Sequence, residues 1–418
     1  MHLTDTHVTD AQSPARFEFV NREARDPRFR PLLTMQRPQE MLNTHALAAM
    51  VRTINDLRAG PLTGNPPQMV VITGDAIDNT QRNELANFFA LMDGGVVRPD
   101  SGAPGYEGVQ QSDWPADGFW KPDGPEDGDE FQRALGFPRH PGLLDRAVQP
   151  FASQGLRVPW LPCYGNHEQV CQGAGIVTPA LAQAMIGSRK HIALPPGLDR
   201  DRAVDAFIEH PEHFMAGAFV EVAPDPDRRP ITRQEFVDPS YYVHDFGQVR
   251  FIALDTVCDA GDAGGTIDAG QLKWLEESLE GSRNRYVVVL SHHGYDTLSN
   301  ARCERHADQL LALLSRHRNV MLWLNGHVHR NRIARRDGFW EVTTSALVDW
   351  PCQARLVEIF MKREGGVSIA CTMLDHDGAG LAGLHRELAG NDPYYGFDSG
   401  RSGRPGDRNV ILELPRLH

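Results

Sequence analysis

Five short polar clusters, spread over most of the chain, constrain its fold and chemistry more than any other feature. They are Thr4-Asp5-Thr6-His7, Gly74-Asp75-Ala76-Ile77-Asp78-Asn79, Gly165-Asn166-His167-Glu168, Ser291-His292-His293-Gly294 and Gly326-His327-Val328-His329. At least four of them directly follow an apolar run of the kind that forms a buried strand. Ligands of α/β sheets bind beyond the carboxyl ends of strands. The pattern therefore predicts an α/β protein with a site at its strand-to-loop junctions.

The side chains of these clusters form a candidate metal-ligand set. Its members are Asp5, His7, Asp75, Asn166, His292, His327 and His329. A single Asp-x-His or His-x-His pair is usually a hydrogen-bonded polar pair, so the evidence lies in the order and number of the clusters. Carboxylate, amide oxygen and imidazole together suit Mn, Fe or Zn, and the set is large enough for two ions. These residues favour a dinuclear hydrolase.

The order of the motifs resembles that of the calcineurin-like metallophosphoesterase superfamily. Asp-x-His, Gly-Asp-x-x-Asp-Asn, Gly-Asn-His-Glu, a strand into His-His, and Gly-His-x-His follow one another from Asp5 to His329. The run from Leu3 to Asp10 and a long insert also resemble a bacterial branch of secreted-type metallophosphoesterases. The resemblance implies an α/β fold, the four-layer α/β/β/α metallophosphoesterase sandwich, here with two long insertions.

The resemblance also implies roles for the candidate residues. Asp75 would bridge two ions, and His167 would stabilise the transition state or protonate the leaving oxygen. The other ligands divide into one set per ion: Asp5, His7 and His329 for one, and Asn166, His292 and His327 for the other. The implied reaction is hydrolysis of a phosphomonoester or phosphodiester by direct attack of a hydroxide bound to the two metals. The cofactors are thus two ions of Mn, Fe or Zn, whose identity the ligand types do not decide.

Four assignments have alternatives. Only one of His292 and His293 can occupy the ligand position, and we choose His292 as the first polar group after the strand and Ser291. Asp78 and Asn79 either orient ligands or cap the following helix, and for Asn79 we favour the cap. Asp255 ends an apolar strand and is either a contact to a ligand or a plain turn residue.

Periodicity places the remaining elements. Helices are predicted at 38–57, 83–92, 270–280 and 305–316, and strands at 68–73, 157–164, 249–255, 286–291, 320–325, 339–345, 354–361 and 367–373. Because the clusters span the chain, we predict a single catalytic domain at 1–375, with insertions at about 93–150 and 172–240 and an irregular tail at 376–418. The insertions are expected to set substrate choice. The first is either a wall over the metal site or a surface excursion that only packs.

Cysteines and the start of the chain bear on its compartment. Six cysteines form no Cys-x-x-Cys pair, which argues against a thiolate zinc cluster. Cys163 and Cys171 are either a disulfide of an exported protein or two free buried thiols. The four residues before Asp5 are short for a strand, so we expect an N-terminal extension with a signal peptide upstream of Met1. The sequence from Met1 onward shows no signal sequence, so export is expected only if that extension is present.

Composition and charge narrow the function classes. The chain has 41% hydrophobic and 23% charged residues and no apolar run long enough to span a membrane, as expected of a soluble enzyme. Its formal net charge of −13 would repel a polyanionic duplex, so the expected partner is a small phosphoester and a nuclease is disfavoured. The rival class is a catalytically inactive binding or scaffold member of the same fold, which normally lacks some ligands. In this chain every expected ligand type is present.

Overall fold

The apolar runs of the sequence form strands that alternate with helices. The computed structural model describes residues 1–363 and 366–415. Its strands are β1 (His2–Leu3), β2 (Val70–Ile72), β3 (Gly95–Val97), β4 (Phe151–Ser153), β5 (Trp160–Pro162), β6 (Arg189–His191), β7 (Phe219–Glu221), β8 (Tyr242–Phe246), β9 (Val249–Ala253), β10 (Tyr286–Leu290), β11 (Val320–Asn325), β12 (Arg332–Arg335), β13 (Trp340–Thr343), β14 (Gln353–Met361), β15 (Val367–Asp375) and β16 (Val410–Leu414). Its α-helices are α1 (Asn43–Asp56), α2 (Arg82–Asp93), α3 (Glu130–Leu135), α4 (Leu143–Ala147), α5 (Asn166–Gln169), α6 (Pro179–Met185), α7 (Ala203–Glu209), α8 (Arg233–Phe236), α9 (Ala269–Glu280), α10 (Ala307–Arg316) and α11 (Leu381–Asn391).

Two six-stranded sheets carry the architecture. The first has the order β16-β15-β14-β1-β2-β5, and the second has the order β12-β13-β11-β10-β9-β8. In the first sheet β1, β2 and β5 run parallel, while β14, β15 and β16 are antiparallel to their neighbours. In the second, β9, β10, β11 and β13 run parallel and the edge strands β8 and β12 are antiparallel. The parallel strands at the centre of each sheet end at the same edge, where the polar clusters follow.

The sheets pack face to face and helices cover their outer faces. Apolar side chains from both sheets, such as Val71 and Leu322, share one buried cluster between them. On the outside, α1 and α2 pack on the first sheet and α9 and α10 on the second. Each amphipathic helix thereby buries its apolar stripe against a sheet, as layered domains require. The predicted α/β/β/α sandwich is confirmed.

The predicted irregular tail at 376–418 is wrong for its described residues. Helix α11 packs beside α1, where His385 Nε2 lies 3.0 Å from Asn43 Oδ1. Strand β16 pairs with β15 at the edge of the first sheet, and its Leu412 and Leu414 are buried in the core. The physical reason is the period-two alternation of Val410, Leu412 and Leu414, which the Gly-rich residues before it obscure. The predicted boundary at 375 therefore cuts through a sheet.

The two insertions pack on different parts of the molecule. In the first insertion, Trp120, Phe137 and Leu143 form a cluster with Met41 and Leu42, which directly precede α1. In the second, residues of α6 and α7 pack with aromatic residues of the segment 14–32, which forms short 3₁₀ helices rather than the open loop that its polarity suggests. The second insertion therefore packs on the N-terminal segment and the first on the flank of the sandwich, and the two insertions also pack against each other.

The cysteine arrangement differs from the pairing considered from the sequence. Cys163 and Cys171 are free and buried, and burial raises the pKa of both thiols. The disulfide joins Cys258 and Cys303, which tether the loop after β9 to the loop before α10. The alternative of two free buried thiols is thus the correct one for Cys163 and Cys171. Within the described residues, no helix is both long and apolar enough to cross a bilayer.

Candidate metal centre

All five polar clusters meet at the carboxyl edge of the two sheets. They follow β1, β2, β5, β10 and β11, which belong to the parallel parts of the two sheets. The backbone there is unusual, because five candidate ligands have positive φ angles: Asp5 (51°), His7 (42°), Asp75 (49°), His327 (68°) and His329 (52°). Residues other than glycine rarely adopt this region, and each such residue costs roughly 1–3 kcal/mol. Strain concentrated at one set of side chains indicates that their positions matter for function.

One half of the site is a buried group of two carboxylates and two imidazoles. Ligand atoms of Asp5, His7, Asp75 and His329 all lie within 4.8 Å of one another. His7 Nδ1 lies 2.8 Å from Asp78 Oδ1, and His329 Nδ1 lies 2.5 Å from Asp349 Oδ2. Because each carboxylate accepts the Nδ1 proton, the Nε2 atom of each neutral ring is left with a lone pair. These Nε2 atoms face each other at 3.3 Å, an arrangement that suits a shared cation.

The other half is built from His292, His327 and Asn166. His292 donates from Nδ1 to Thr73 O at 2.7 Å, so Nε2, which lies 3.1 Å from Asp75 Oδ2 and 3.2 Å from His327 Nδ1, is the ring nitrogen that can bind a cation in place of a proton. Burial alone would lower the pKa of His292, but the Asp75 carboxylate raises it to about 9. Asp75 therefore favours positive charge at this point. It also reaches the first half, since its Oδ2 lies 3.8 Å from His7 Nε2.

His293, the competing candidate, has both ring nitrogens engaged elsewhere. Its Nδ1 lies 2.9 Å from Thr256 Oγ1, and its Nε2 lies 3.0 Å from Ala263 O. Since the carbonyl can only accept, Nε2 carries the proton and Nδ1 accepts from the hydroxyl. These contacts favour His292, although His293 also offers a ring nitrogen within 4.8 Å of those of His292 and His327, and the choice stays a prediction.

Two buried oxygen atoms without hydrogen-bond partners among the described residues indicate that metal ions fit this site. Asp5 Oδ1 and Asn166 Oδ1 are buried and have no hydrogen-bond partner among the described residues. The amide nitrogen of Asn166 donates to Gly173 O at 2.9 Å, which leaves its oxygen for another partner. An unpaired buried acceptor costs about 1–3 kcal/mol, and a cation would remove that cost. The residues present fit metal ions by both their chemistry and their unmet bonding capacity.

A supporting network that the sequence did not reveal fixes these ligands. Asp349, in the loop after β13, binds His329 and also accepts from Arg37 Nε at 2.7 Å. Asp78 binds His7 and forms a buried ion pair with Arg16. Sequence reasoning missed Asp349, Arg37 and Arg16 because no motif surrounds them and their partners are distant in the chain. Asp78 therefore orients His7, a candidate ligand, rather than capping the following helix.

The alternatives for Asn79 and Asp255 are also decided. The prediction that Asn79 caps the following helix is wrong, because Gln81 is the residue that precedes α2. Asn79 instead donates to Ala15 O and accepts from Gln172 N, joining the N-terminal segment to the second insertion. Asp255 pairs with Arg233 and accepts from Val257 N, so it is a turn residue held by an ion pair.

Glu168 organises the backbone that carries Asp75. Its Oε2 accepts from Asp75 N at 3.0 Å and Gly165 N at 2.7 Å, and its Oε1 accepts from Ile77 N at 3.0 Å. Burial raises the pKa of Glu168 to about 8, whereas these three donors favour its ionised form. A side chain at Gly165 would overlap Asp75, which explains glycine at the start of this motif.

We expect Glu168→Gln to lower the free energy of unfolding by about 1–3 kcal/mol, because an amide NH₂ would face at least one backbone donor. Denaturant unfolding would measure the change. Glu276→Gln is the control: Glu276 forms an exposed pair with Arg316, which is worth under about 1 kcal/mol. Equal stability of the Glu168 variant and the parent would contradict the ionised, donor-binding carboxylate.

His167 lies beside the cluster without joining either group of ligands around Asp75. Its backbone N–H donates to Asp75 Oδ1 at 2.9 Å, and its Nδ1 lies 2.5 Å from Asp78 O. Since that carbonyl accepts, Nδ1 carries a proton and Nε2 remains free, in a side chain that is 16% exposed to the pocket. Burial lowers the pKa of His167 to about 4. The ring is therefore placed to contact a ligand above the metal cluster.

A cavity of about 370 Å³ opens over the cluster. Asp75, Asn166, His167, His327 and His329 lie on its floor, and three segments form its walls: residues 31–37, Gln172 to Ala174, and Tyr395 with Arg401. No described residue of 93–150 lines it, so the first insertion is the surface excursion and not the wall. The expectation that this insertion sets substrate choice is thereby corrected. Another cavity, of about 240 Å³ between the sheets, is mostly apolar and contacts none of the candidate ligands.

The two-sheet fold and the convergent ligands define a metal-binding hydrolase of the layered α/β class. Residues 127–331 match the family model of the calcineurin-like phosphoesterases, and the chain carries a domain of that family. It is a hydrolase that acts on phosphoric esters. The matched range contains Asn166, His167 and the later histidines, while Asp5 and Asp75 precede it and join them in space.

Solved structures similar to this chain include a dimetal phosphatase from Danio rerio, with 13% identity, a TM-score of 0.40 and coverage of 89% of this chain and 94% of that one. Another is GAP50, the anchor in the inner membrane complex of Plasmodium, with 10% identity, a TM-score of 0.33 and coverage of 83% and 90%. Both TM-scores are below 0.5, so these similarities add nothing to the assignment. No curated protein matches the chain.

Proposed function

We propose that this chain hydrolyses phosphoesters with two metal ions held at the carboxyl edge of the sheets. The observation that carries the proposal is that nitrogen and oxygen atoms able to bind a cation lie together on each side of Asp75. Asp5 Oδ1 and Asn166 Oδ1 have no hydrogen-bond partner among the described residues, and His7 and His292 each turn Nε2 toward the site because Nδ1 donates to the protein. Such an arrangement is costly unless cations bind.

The proposed ligand division follows the two halves of the site. Asp75 is the shared carboxylate, and the ligands of the two ions are Asp5, His7 and His329 for one, and Asn166, His292 and His327 for the other. Mn, Fe and Zn all suit these oxygen and nitrogen ligands. When bound, two such ions supply a water acidic enough to attack near neutral pH and charge to neutralise phosphoryl oxygens.

The chain's own residues supply position and protons. Asp78 and Asp349 hold the histidines in the tautomer that presents Nε2, and Glu168 holds the Asp75 backbone. His167 places Nε2 toward the pocket, where it contacts a phosphoryl or leaving-group oxygen. Because Nδ1 already carries a proton, His167 donates from Nε2 only as the imidazolium. The pocket walls exclude bulk water from one side of the substrate.

The test is metal removal followed by assay. We expect chelator-treated protein to lose hydrolysis of p-nitrophenyl phosphate or bis(p-nitrophenyl) phosphate. Adding Mn, Fe and Zn separately then tests which ion restores this hydrolysis. Metal analysis of protein purified without chelator should find about two ions per chain. Protein that binds the ions and releases p-nitrophenol from neither ester would favour the rival class, a binding or scaffold member of the fold.

A further inference from the structure

Two arginines stand over the metal cluster, and the function classes above do not account for them. Arg37 and Arg401 both line the pocket, on walls that come from opposite ends of the chain. Among the described lining residues the only carboxylate is that of Asp75, a candidate metal ligand. The pocket is therefore cationic beyond its metals, in a chain whose net charge is −13.

Arg37 is held in place by the ligand network itself. Its Nε donates to Asp349 Oδ1, while Oδ2 of the same carboxylate accepts from the metal-ligand candidate His329. Its NH1 lies 3.9 Å from Asp78 Oδ1, beyond hydrogen-bond distance. Neither terminal nitrogen has a hydrogen-bond partner among the described residues, although the side chain is only 9% exposed. The guanidinium thus keeps two donor groups available beside His329, which would hold one of the ions.

Arg401 is fixed beside it by an aromatic ring and a carbonyl. Its guanidinium carbon lies 4.0 Å from the centre of the Tyr395 ring, and that of Arg37 lies 5.6 Å from the same ring. Its NH1 donates to Val328 O at 2.9 Å, between the two ligand histidines of the last cluster. The Tyr395 hydroxyl in turn donates to Leu33 O at 3.3 Å, on the wall that carries Arg37. Two like charges thus lie against the same aromatic ring, which favours an anion bound between them and the candidate metal ligands.

We propose that Arg37 and Arg401 bind the second negative charge of a phosphomonoester, so that the enzyme selects monoester dianions over phosphodiesters. This inference rests on the proposed function and adds the substrate class to it. A diester carries one negative charge, which two bound cations already neutralise, and its second substituent would take the place of the oxygen that the arginines contact. A monoester dianion leaves an oxygen free to accept from a guanidinium, and planar guanidinium groups match phosphate geometry.

The experiment compares esters with the same leaving group and different charge. Metal-loaded parent protein, Arg37→Gln and Arg401→Gln are assayed with p-nitrophenyl phosphate and methyl p-nitrophenyl phosphate. We expect each variant to lose roughly 10- to 100-fold in kcat/KM for the monoester, the value of one charged hydrogen bond, and under about 5-fold for the diester. Lysine at either position should restore part of the loss, because it keeps the charge without the planar fork.

Binding of inorganic phosphate supplies a readout that needs no turnover. Calorimetry on metal-loaded protein should show phosphate binding weakened by roughly 10-fold or more in each variant, with unchanged metal content. Arg386→Gln is the matched control, since Arg386 also lies over an aromatic ring, that of Trp350, and pairs with Asp375 away from the pocket. It should leave both esters and phosphate binding unchanged.

The outcomes separate this inference from the function on which it rests. A parent protein that hydrolyses neither ester when loaded with metal would overturn the proposed function. A parent that hydrolyses the diester as well as the monoester, or variants that lose both esters equally, would overturn the role of the arginines alone. Should Arg37→Gln lose metal because Asp349 is released, Arg401→Gln decides, since its side chain contacts no ligand side chain.

Discussion

Asp75→Asn should reduce phosphoester hydrolysis by about 1,000-fold or more. Asp75 Oδ2 lies 3.1 Å from His292 Nε2 and 3.8 Å from His7 Nε2, so this carboxylate is the side chain shared by both halves of the site. An amide in its place brings N–H groups toward lone pairs and removes the negative charge that favours cations. Its oxygen can still accept from His167 N, so the local backbone is preserved.

Metal content and turnover measured together test this prediction. Bound metal should fall from about two ions per chain to one or none, while thermal unfolding of the metal-free protein changes little. Asp377→Asn is the control, because Asp377 forms an exposed pair with Arg52 and should retain metal and activity. Full activity of Asp75→Asn would remove the shared carboxylate from the mechanism.

His167→Ala should slow turnover by about 100- to 10,000-fold while leaving both metals bound. The ring touches the pocket through Nε2 and contacts Asp75 only through its backbone N–H, which alanine retains. The loss should therefore fall on kcat rather than on metal affinity.

A second substitution separates the two roles open to His167. His167→Gln supplies a neutral N–H donor that cannot transfer a proton. Partial recovery relative to alanine would indicate charge stabilisation, and no recovery would indicate proton transfer. His213→Ala, distant in the second insertion, serves as the control. Loss of metal from His167→Ala would place this residue among the ligands.

The strand-end chemistry was predictable because it depends on local patterns. An apolar run followed by a polar cluster gave the position of β2, β10 and β11, and their parallel arrangement brought the candidate ligands together. His292, the histidine nearer to the strand, faces Asp75, and this geometry favours it over His293.

The parts that sequence reasoning missed depend on contacts between distant segments. Asp349 has no motif, and only the fold shows that it binds His329 and Arg37 together. The wall made by residues 31–37 and by Tyr395 was hidden because both segments look polar and loop-like. A wall over the site was one of two alternatives for the first insertion, but its Trp120 and Phe137 pack beside α1 instead. A signal was present for β16, whose alternating apolar residues belong to an edge strand.

The order in which the pocket's parts occur along the chain bears on its synthesis. A nascent chain that has emerged as far as His329 already holds every candidate ligand, whereas Tyr395, Arg401 and the edge strand β16 are still to be translated. Domains fold as units during translation from the N-terminus. Because β14 lies beside β1 in the first sheet and Asp349 holds His329, the candidate centre cannot be completed until this later part of the chain has also been synthesised.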